Sequence, residues 1–551
     1  MIEFARKGRG QCEPLVLHPH KMKRDFLSDE QREAVRHVLE SPDRVIAVRG
    51  GAGVGKTTSI MEAVEAIEGE GRGVFTFAPS ADASRGTLRE EGFENADTVA
   101  RLLKDEKLQD FVSGNVIWVD EAGQLGTRTM NQLFRVAKQR NARVVLSGDV
   151  HQHGSVDRGD ALRVLESHAG IRPAEITKIR RQRGEYREAI SKISKGRSTE
   201  GFDRLDSMGR VHEVNDDERY NRLAADYFVA VEAKQSTLVV SPTHREGQEV
   251  TDLIRAGKRE RGTLRGAERA LEKLRPLSLT DAEKQDSKNF ETGHVIQFNQ
   301  NVKGFKNGFR TSVELVDKAG IWVRNSKGDR QMLDLAKSDR FAVYKTEQIA
   351  VAAGERIRIT RNGKTAGKQH ALNNGSLHTV RGFAESGDLV TSKGWLIPKD
   401  YGYLTYGYVT TSHASQGKTV DRVFLAQSSK SFGASSREQF YVSASRGRQQ
   451  VDIYTDNKAE LRAAIRRTSE RLSASELTQR AGGTHQPQLR LDRLKQHAAR
   501  LRRQAKQIQR FAARTTIAVQ ERFENWRERL QRGDAGASRT YPSDSVEPNT
   551  R

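Results

Sequence analysis

Residues 44–68 read RVIAVRGGAGVGKTTSIMEAVEAIE, and three local signals follow one another there without a gap. Arg44–Arg49 (RVIAVR) is a short apolar, β-branched run of the kind that forms a strand covered on both faces. Gly50–Thr57 (GGAGVGKT) fits G-x-x-x-x-G-K-[ST], and Lys56–Glu68 has helical spacing. Strand, glycine-rich turn and helix in that order make a phosphate loop. Its glycines let the backbone curl, so that the segment Gly51, Ala52, Gly53, Val54, Gly55, Lys56, Thr57 and Thr58 can turn its N–H groups toward phosphate oxygens. The helix N-terminus adds its positive end. Lys56 is suited to reach the β- and γ-phosphates and the Thr57 hydroxyl to ligate Mg²⁺. The chain is expected to bind ATP with Mg²⁺.

Outward from the loop, strands are predicted at Gly73–Ala78, Val116–Val119 and Ala142–Ser147, with helices at Ser28–Glu40 and Met130–Gln139. Apolar strands alternating with amphipathic helices imply a parallel sheet, hence an α/β lobe over residues 28–172. VIWVDEAGQ (Val116–Gln124) brings Asp120 and Glu121 to the carboxyl end of that sheet, where such folds bind ligands. Asp120 is read as a Mg²⁺ ligand and Glu121 as the group that positions or deprotonates the attacking water. VVLSGDVHQHGS (Val144–Ser155) places Gln152 to sense the γ-phosphate. His151 and His153 flank it, but without cysteines or further histidines no metal is expected there. Two arginine-bearing segments, ITKIRRQR (Ile176–Arg183) and EQFYVSASRGR (Glu438–Arg448), are candidates to stabilise phosphoryl transfer from a second lobe.

That second α/β lobe is predicted in two pieces, 173–285 and 401–470, with strands at Thr237–Ser241, Tyr406–Thr411, Val420–Ala426 and Gln450–Tyr454. Between the pieces, 286–400 has a different texture: short alternating runs such as HVIQF, GIWVRN and ERIRIT, separated by Gly, Asn and Asp turns, predict a small β-barrel. Residues 1–27 read as a basic, irregular lead-in. At the other end, 486–532 is predicted to be a long basic helix, with 13 Lys/Arg against 4 Asp/Glu between Gln488 and Arg532, and 533–551 a disordered tail.

The whole chain has 551 residues and a net charge of +22, which favours a polyanionic partner, nucleic acid before membrane. No apolar run is long enough to span a bilayer, and the first residues lack the apolar core of a secretory signal, so a cytoplasmic protein is expected. The single cysteine, Cys12, excludes an intramolecular disulfide.

In order along the chain, LSDEQREAV, GGAGVGKTT, FAPSADA, VDEAG, SGDVHQ, IRRQR, TTSHASQGKTVD and YVSASRGR resemble the motifs of RecD-like superfamily 1B helicases. The segment from IRAGKRERGTLRG to ETGHVIQF looks like the helicase half of MobF-type conjugative relaxases, the TraI/TrwC kind. The resemblance implies two RecA-like P-loop lobes, an SH3-like barrel inserted in the second, and ATP-driven 5′→3′ movement on single-stranded DNA. It further implies that Gln31 reads adenine and that Arg181 and Arg446 act as arginine fingers, with Arg180 a neighbouring candidate. Gly417 would lie near the γ-phosphate, and Pro79, Ser80, Thr98, Thr243, Thr411, His413 and Gln416 would line the DNA path.

Relaxases of this kind begin with a nuclease domain bearing a catalytic tyrosine and three metal-binding histidines. No tyrosine precedes residue 28, and His18 and His20 have no sheet to hold them as a metal pair. A helicase module without the nuclease is therefore expected, with single-stranded DNA and junctions as partners, and a separate relaxase or coupling protein of conjugation beside it. It would work as a monomeric motor. His153 stands where RecD-like proteins usually have leucine. Two other functions stay open: an ATP-switched DNA-binding or assembly factor of a transfer complex, and a RecD-like repair helicase.

Overall fold

The computed structural model describes residues 1–469 except Arg158, and omits the side chain of Asp217. The expected basic helix at 486–532 and the tail at 533–551 lie outside the described residues.

Six parallel strands form the first sheet, in the spatial order Asp97–Thr98, Val74–Ala78, Val116–Val119, Arg143–Gly148, Val45–Gly50 and Ala174–Ile176. Alternate residues of its strands enter different cores. Ile46, Val48, Val116 and Trp118 belong to one, and Val45, Ala47, Ile117 and Val119 to the other. Burial on both faces is why these strands read as unbroken apolar runs. The helix Asp29–Glu40 starts on a capping box between Ser28 and Gln31, and Lys56–Gly69 and Thr127–Gln139 flank the sheet.

A second parallel sheet runs Val409–Thr410, Thr237–Val240, Val420–Ala426, Gly447–Thr455 and Val211–Glu213. Its Val423, Leu425, Val451 and Ile453 join the same hydrophobic cluster as Ile46 and Val48, so one apolar core continues across both lobes. The protein has the two-lobe, RecA-like P-loop architecture.

The segment between the pieces of the second lobe forms two larger antiparallel sheets and a two-stranded ribbon, Gly363–Lys364 with Ala371–Leu372. One has six strands, from Arg330–Met332 at one edge through Phe341–Ala353 to Arg265–Pro276. The other has five: Leu396–Ile397, Leu389–Thr391, Leu377–Phe383, Arg356–Ile359 and Leu404–Tyr406. One apolar cluster is shared by the two sheets, joining Leu271, Leu274, Ile349 and Val351 to Ile357, Ile359, Val380 and Leu389, and a second lies within the six-stranded sheet.

Four local expectations are corrected. Arg265–Pro276 (RGAERALEKLRP), assigned with the second lobe, is a strand of the six-stranded sheet; its charges hide the alternation, and within it only Leu271 and Leu274 are buried. Leu404–Tyr406, also assigned to the second lobe, pairs with Arg356–Ile359 instead. Ala174–Ile176 is an edge strand of the first sheet rather than part of the second lobe, because it pairs with Val48–Gly50. The lead-in is not irregular throughout: Ile2–Lys7 is helical, and Ala5, Leu15 and Val16 are buried. A six-residue helix is too short for its period to show in sequence. Among the described residues no helix is long and apolar enough to cross a membrane.

Candidate functional site

The phosphate loop closes against groups from both lobes. Gly53 has φ 76°, and a Cβ there would stand 2.5 Å from that of Arg181. At Gly51 a Cβ would stand 2.6 Å from the Tyr441 hydroxyl. Lys56 Nζ donates to the Gly50 carbonyl at 2.8 Å, folding the ammonium back over the loop.

Asp120 and Glu121 leave their strand side by side. The Ser147 hydroxyl accepts from Trp118 Nε1 at 3.1 Å and donates to Asp120 Oδ1 at 2.8 Å. Burial and the Glu121 charge push the Asp120 pKa up. Glu121 takes the opposite direction. Burial would raise it, but Lys56, a hydrogen bond from Gln416 and the charges of Arg446 and Arg181 lower it overall. Its backbone sits in the left-handed region, φ 53°, at a cost of about 1–3 kcal/mol for a residue with a side chain. A third carboxylate, Glu91, lies near Thr57, and desolvation and the Asp120 charge raise its pKa. Glu91 carries no sequence signal, since a lone acid after a helix resembles a solvated one.

Arg181 and Arg446 both lie within electrostatic reach of Glu121. Backbone N–H groups of Arg180 and Arg181 donate to the Gly53 carbonyl at 2.8 and 3.0 Å. Arg181 Nη1 donates to the Ser445 carbonyl at 2.8 Å, and Arg446 Nε to that of Val442 at 2.8 Å. Burial and the Arg446 charge lower the Arg181 pKa to about 9, which leaves its guanidinium charged near neutrality, and burial lowers Arg446 as well.

Gln152 is buried; its Nε2 donates to Asp149 Oδ2 at 3.2 Å, and its Oε1 has no partner. An orphaned buried acceptor here fits a group that accepts a hydrogen bond from a water at the bound phosphate. Asp149 is shared with Tyr441, whose hydroxyl accepts the Ala52 N–H at 2.9 Å and bonds the Asp149 carboxylate. Tyr441 was overlooked in sequence, although it opens the YVSASRGR run that drew attention to Arg446. Together these residues fit ATP: the loop N–H groups and Lys56 for the phosphates, Thr57 and Asp120 for Mg²⁺.

Gln31 lies beside the loop, and its Nε2 donates to the Val54 and Gly55 carbonyls and its Oε1 accepts from the Ser28 N–H and Arg180 Nη1. The capping box turns its amide onto the loop. Gln416, expected on the DNA path, donates instead to Glu121 Oε2 at 2.9 Å. Gly417 follows it with φ 82°.

The other expected DNA-path residues lie at element ends. Pro79 and the exposed Ser80 precede a π-helix, Asp82–Leu88. Thr98, Thr243 and Thr411 each cap the helix they precede, their hydroxyls accepting the N–H of Arg101, Glu246 and Ala414. Each hydroxyl keeps one proton to donate. Thr411 and His413 line a cavity of about 440 Å³, with His153, Pro242, Ser436 and Arg467. His153 stacks on His413 across the lobe boundary, ring centroids 3.6 Å apart, and bonds Ser412 Oγ at 2.7 Å. Desolvation and His413 lower the His153 pKa to about 3, so its ring is neutral near pH 7, and desolvation lowers His413 as well.

Residues 26–216 match a family model described as an AAA domain. The conjugal transfer protein TraA of Rhizobium radiobacter is 27% identical over 82% of this chain and 34% of its own length. The multifunctional conjugation protein TraI of Escherichia coli K12 is 24% identical over 83% of this chain and 29% of its own. The chain thus spans about a third of these relatives. A Bacteroides Pif1 helicase crystallised with ADP-AlF3 and ssDNA aligns over 83% of this chain and 97% of its own at 16% identity, with a TM-score of 0.41. Over about four fifths of its length the chain is similar in sequence to the conjugation proteins TraA and TraI.

Proposed function

We propose that this chain is an ATP-dependent DNA helicase or translocase that moves 5′→3′ on single-stranded DNA and serves conjugative DNA transfer in the cytoplasm. The observation that carries it is the Glu121–Gln416 hydrogen bond, flanked by Arg181 and Arg446, which ties the carboxylate fit to act on water to the second lobe. ATP with Mg²⁺ supplies the cleavable γ-phosphate and the charge-neutralising cation. Lys56 and the loop N–H groups bind the phosphates, while Thr57 and Asp120 orient the metal. Glu121 takes the proton from the attacking water, and Gln152 holds that water in line. Arg181 and Arg446 hold positive charge where negative charge develops, and withdraw when the lobes part. Alternate grip by the two lobes then advances the strand. The five-stranded sheet of the insertion is taken as the SH3-like unit that guides it, and single-to-double-strand junctions as its substrate. A relaxase or coupling protein would deliver the strand.

Steady-state ATP hydrolysis with and without single-stranded DNA tests this, followed by unwinding of duplexes with 5′ or 3′ tails. Strong stimulation and a 5′-tail requirement are expected. Bound ATP without stimulation would favour the ATP-switched binding factor.

A further inference from the structure

Arg356 and Arg358 occupy alternate positions of the strand Arg356–Ile359, and so share a face of the insertion's five-stranded sheet. Arg358 Nη2 donates to the Val409 carbonyl at 2.7 Å, while its Nε is buried without a partner. Lys418, next after Gly417, and Asp82, in the first-lobe π-helix, lie within electrostatic reach of Arg358. The insertion itself comes down on that helix: a Cβ at Gly375 would stand 3.2 Å from that of Asp82. Among the described residues none of Arg356, Arg358, Lys418 and Asp82 has an ion-pair partner within 4.0 Å.

Three half-buried cations facing one unpaired carboxylate are unfavourable as packing alone. Desolvation and mutual repulsion hold Arg358 at about 10 and lower Lys418 as well. An anion entering there would relieve that repulsion. The cluster lies where three elements meet that hold Ser80, His413 and the insertion strand.

We propose that Arg358, Lys418 and Arg356 form a seat for one phosphodiester of the bound strand, with Asp82 as the internal counter-charge that the phosphate displaces. The seat rests on the DNA-motor reading and adds its grip point on the insertion.

Oligothymidylate binding, measured by fluorescence anisotropy across a salt series, tests it through two variants of opposite sign. Lys418→Ala should bind roughly tenfold more weakly, with the slope of log K against log salt smaller by about 0.7. Asp82→Asn should bind several-fold more tightly, and Lys418→Arg should stay near the wild type. If the wild type binds but the two variants leave affinity and slope unmoved, or shift them in the same direction, the seat is wrong and the motor reading stands. If the wild type does not bind the strand at all, both fall.

Discussion

On Glu121 a left-handed backbone, a lysine, an amide and two guanidiniums converge. Strain of this kind persists where the surroundings over-determine it, and here they serve one carboxylate oxygen pair. Glu121→Gln is expected to retain nucleotide binding and lose about 10²–10⁴ in turnover, the range for a missing general base. Lys56→Ala should lose both, and a fluorescent ATP analogue with a phosphate-release assay separates the two. Turnover of Glu121→Gln at the wild-type rate would overturn the base assignment. Tyr441 gives a sharper geometric test. Because a Cβ at Gly51 would lie 2.6 Å from its hydroxyl and 3.9 Å from the ring carbon beneath, Gly51→Ala should impair ATP binding. Adding Tyr441→Phe removes the clashing oxygen and should restore part of it. A double variant no better than Gly51→Ala would show that the contact is not what limits the loop.

One element joins the lead-in to the site. The helix Lys56–Gly69, which begins at the phosphate loop, buries Glu62 completely. Its carboxylate accepts from Arg24 Nη1 at 2.8 Å, the Lys23 N–H at 2.7 Å and His20 at 2.7 Å. Burial opposes the charge, but these donors outweigh it and bring the pKa from 4.5 to about 2. The depressed value means stability that is present above pH 4.5 and lost as pH falls toward 2, worth about 3 kcal/mol at neutrality. Glu62→Gln should therefore lower the melting temperature at pH 7, with the gap closing as both proteins are melted at progressively lower pH. A gap that stays constant from pH 7 to 3 would remove this ion cluster from the account. His20 thus has a structural role, bonding the buried Glu62 carboxylate.

Across the whole molecule, the proposed motor would pass its coupling between DNA and ATP from lobe to lobe, and two contacts bridge the lobes: Gln416 on Glu121 and His153 on His413. Gln416→Ala is expected to keep basal ATP binding while single-stranded DNA loses most of its power to stimulate hydrolysis. Equal stimulation in both proteins would show that coupling runs elsewhere. The four inner strands of the first sheet were readable to within a residue, because a strand buried on both faces must be apolar throughout. The phosphate loop was readable because glycine, lysine and threonine act through backbone geometry and local order. The acidic pair at 120–121 was readable because it directly follows an apolar strand, whereas the arginines at 181 and 446 were named only through the resemblance of ordered motifs to a helicase family. Tyr441, Glu91, the turned amide of Gln31 and the shift of Gln416 to the nucleotide side were not. Each depends on which side chain a different lobe or loop brings within 3–4 Å, and single-chain spacing does not encode that distance. The insertion's limits escaped for a related reason: Arg265–Pro276 is a strand only because Phe341–Ala353 lies beside it to pair with. Sequence alone determined the nucleotide chemistry and the parallel-sheet lobes, since both are written in consecutive residues. Tertiary structure alone decided which groups share the catalytic carboxylate and where the cations gather, since burial and charge balance exist only once distant segments meet.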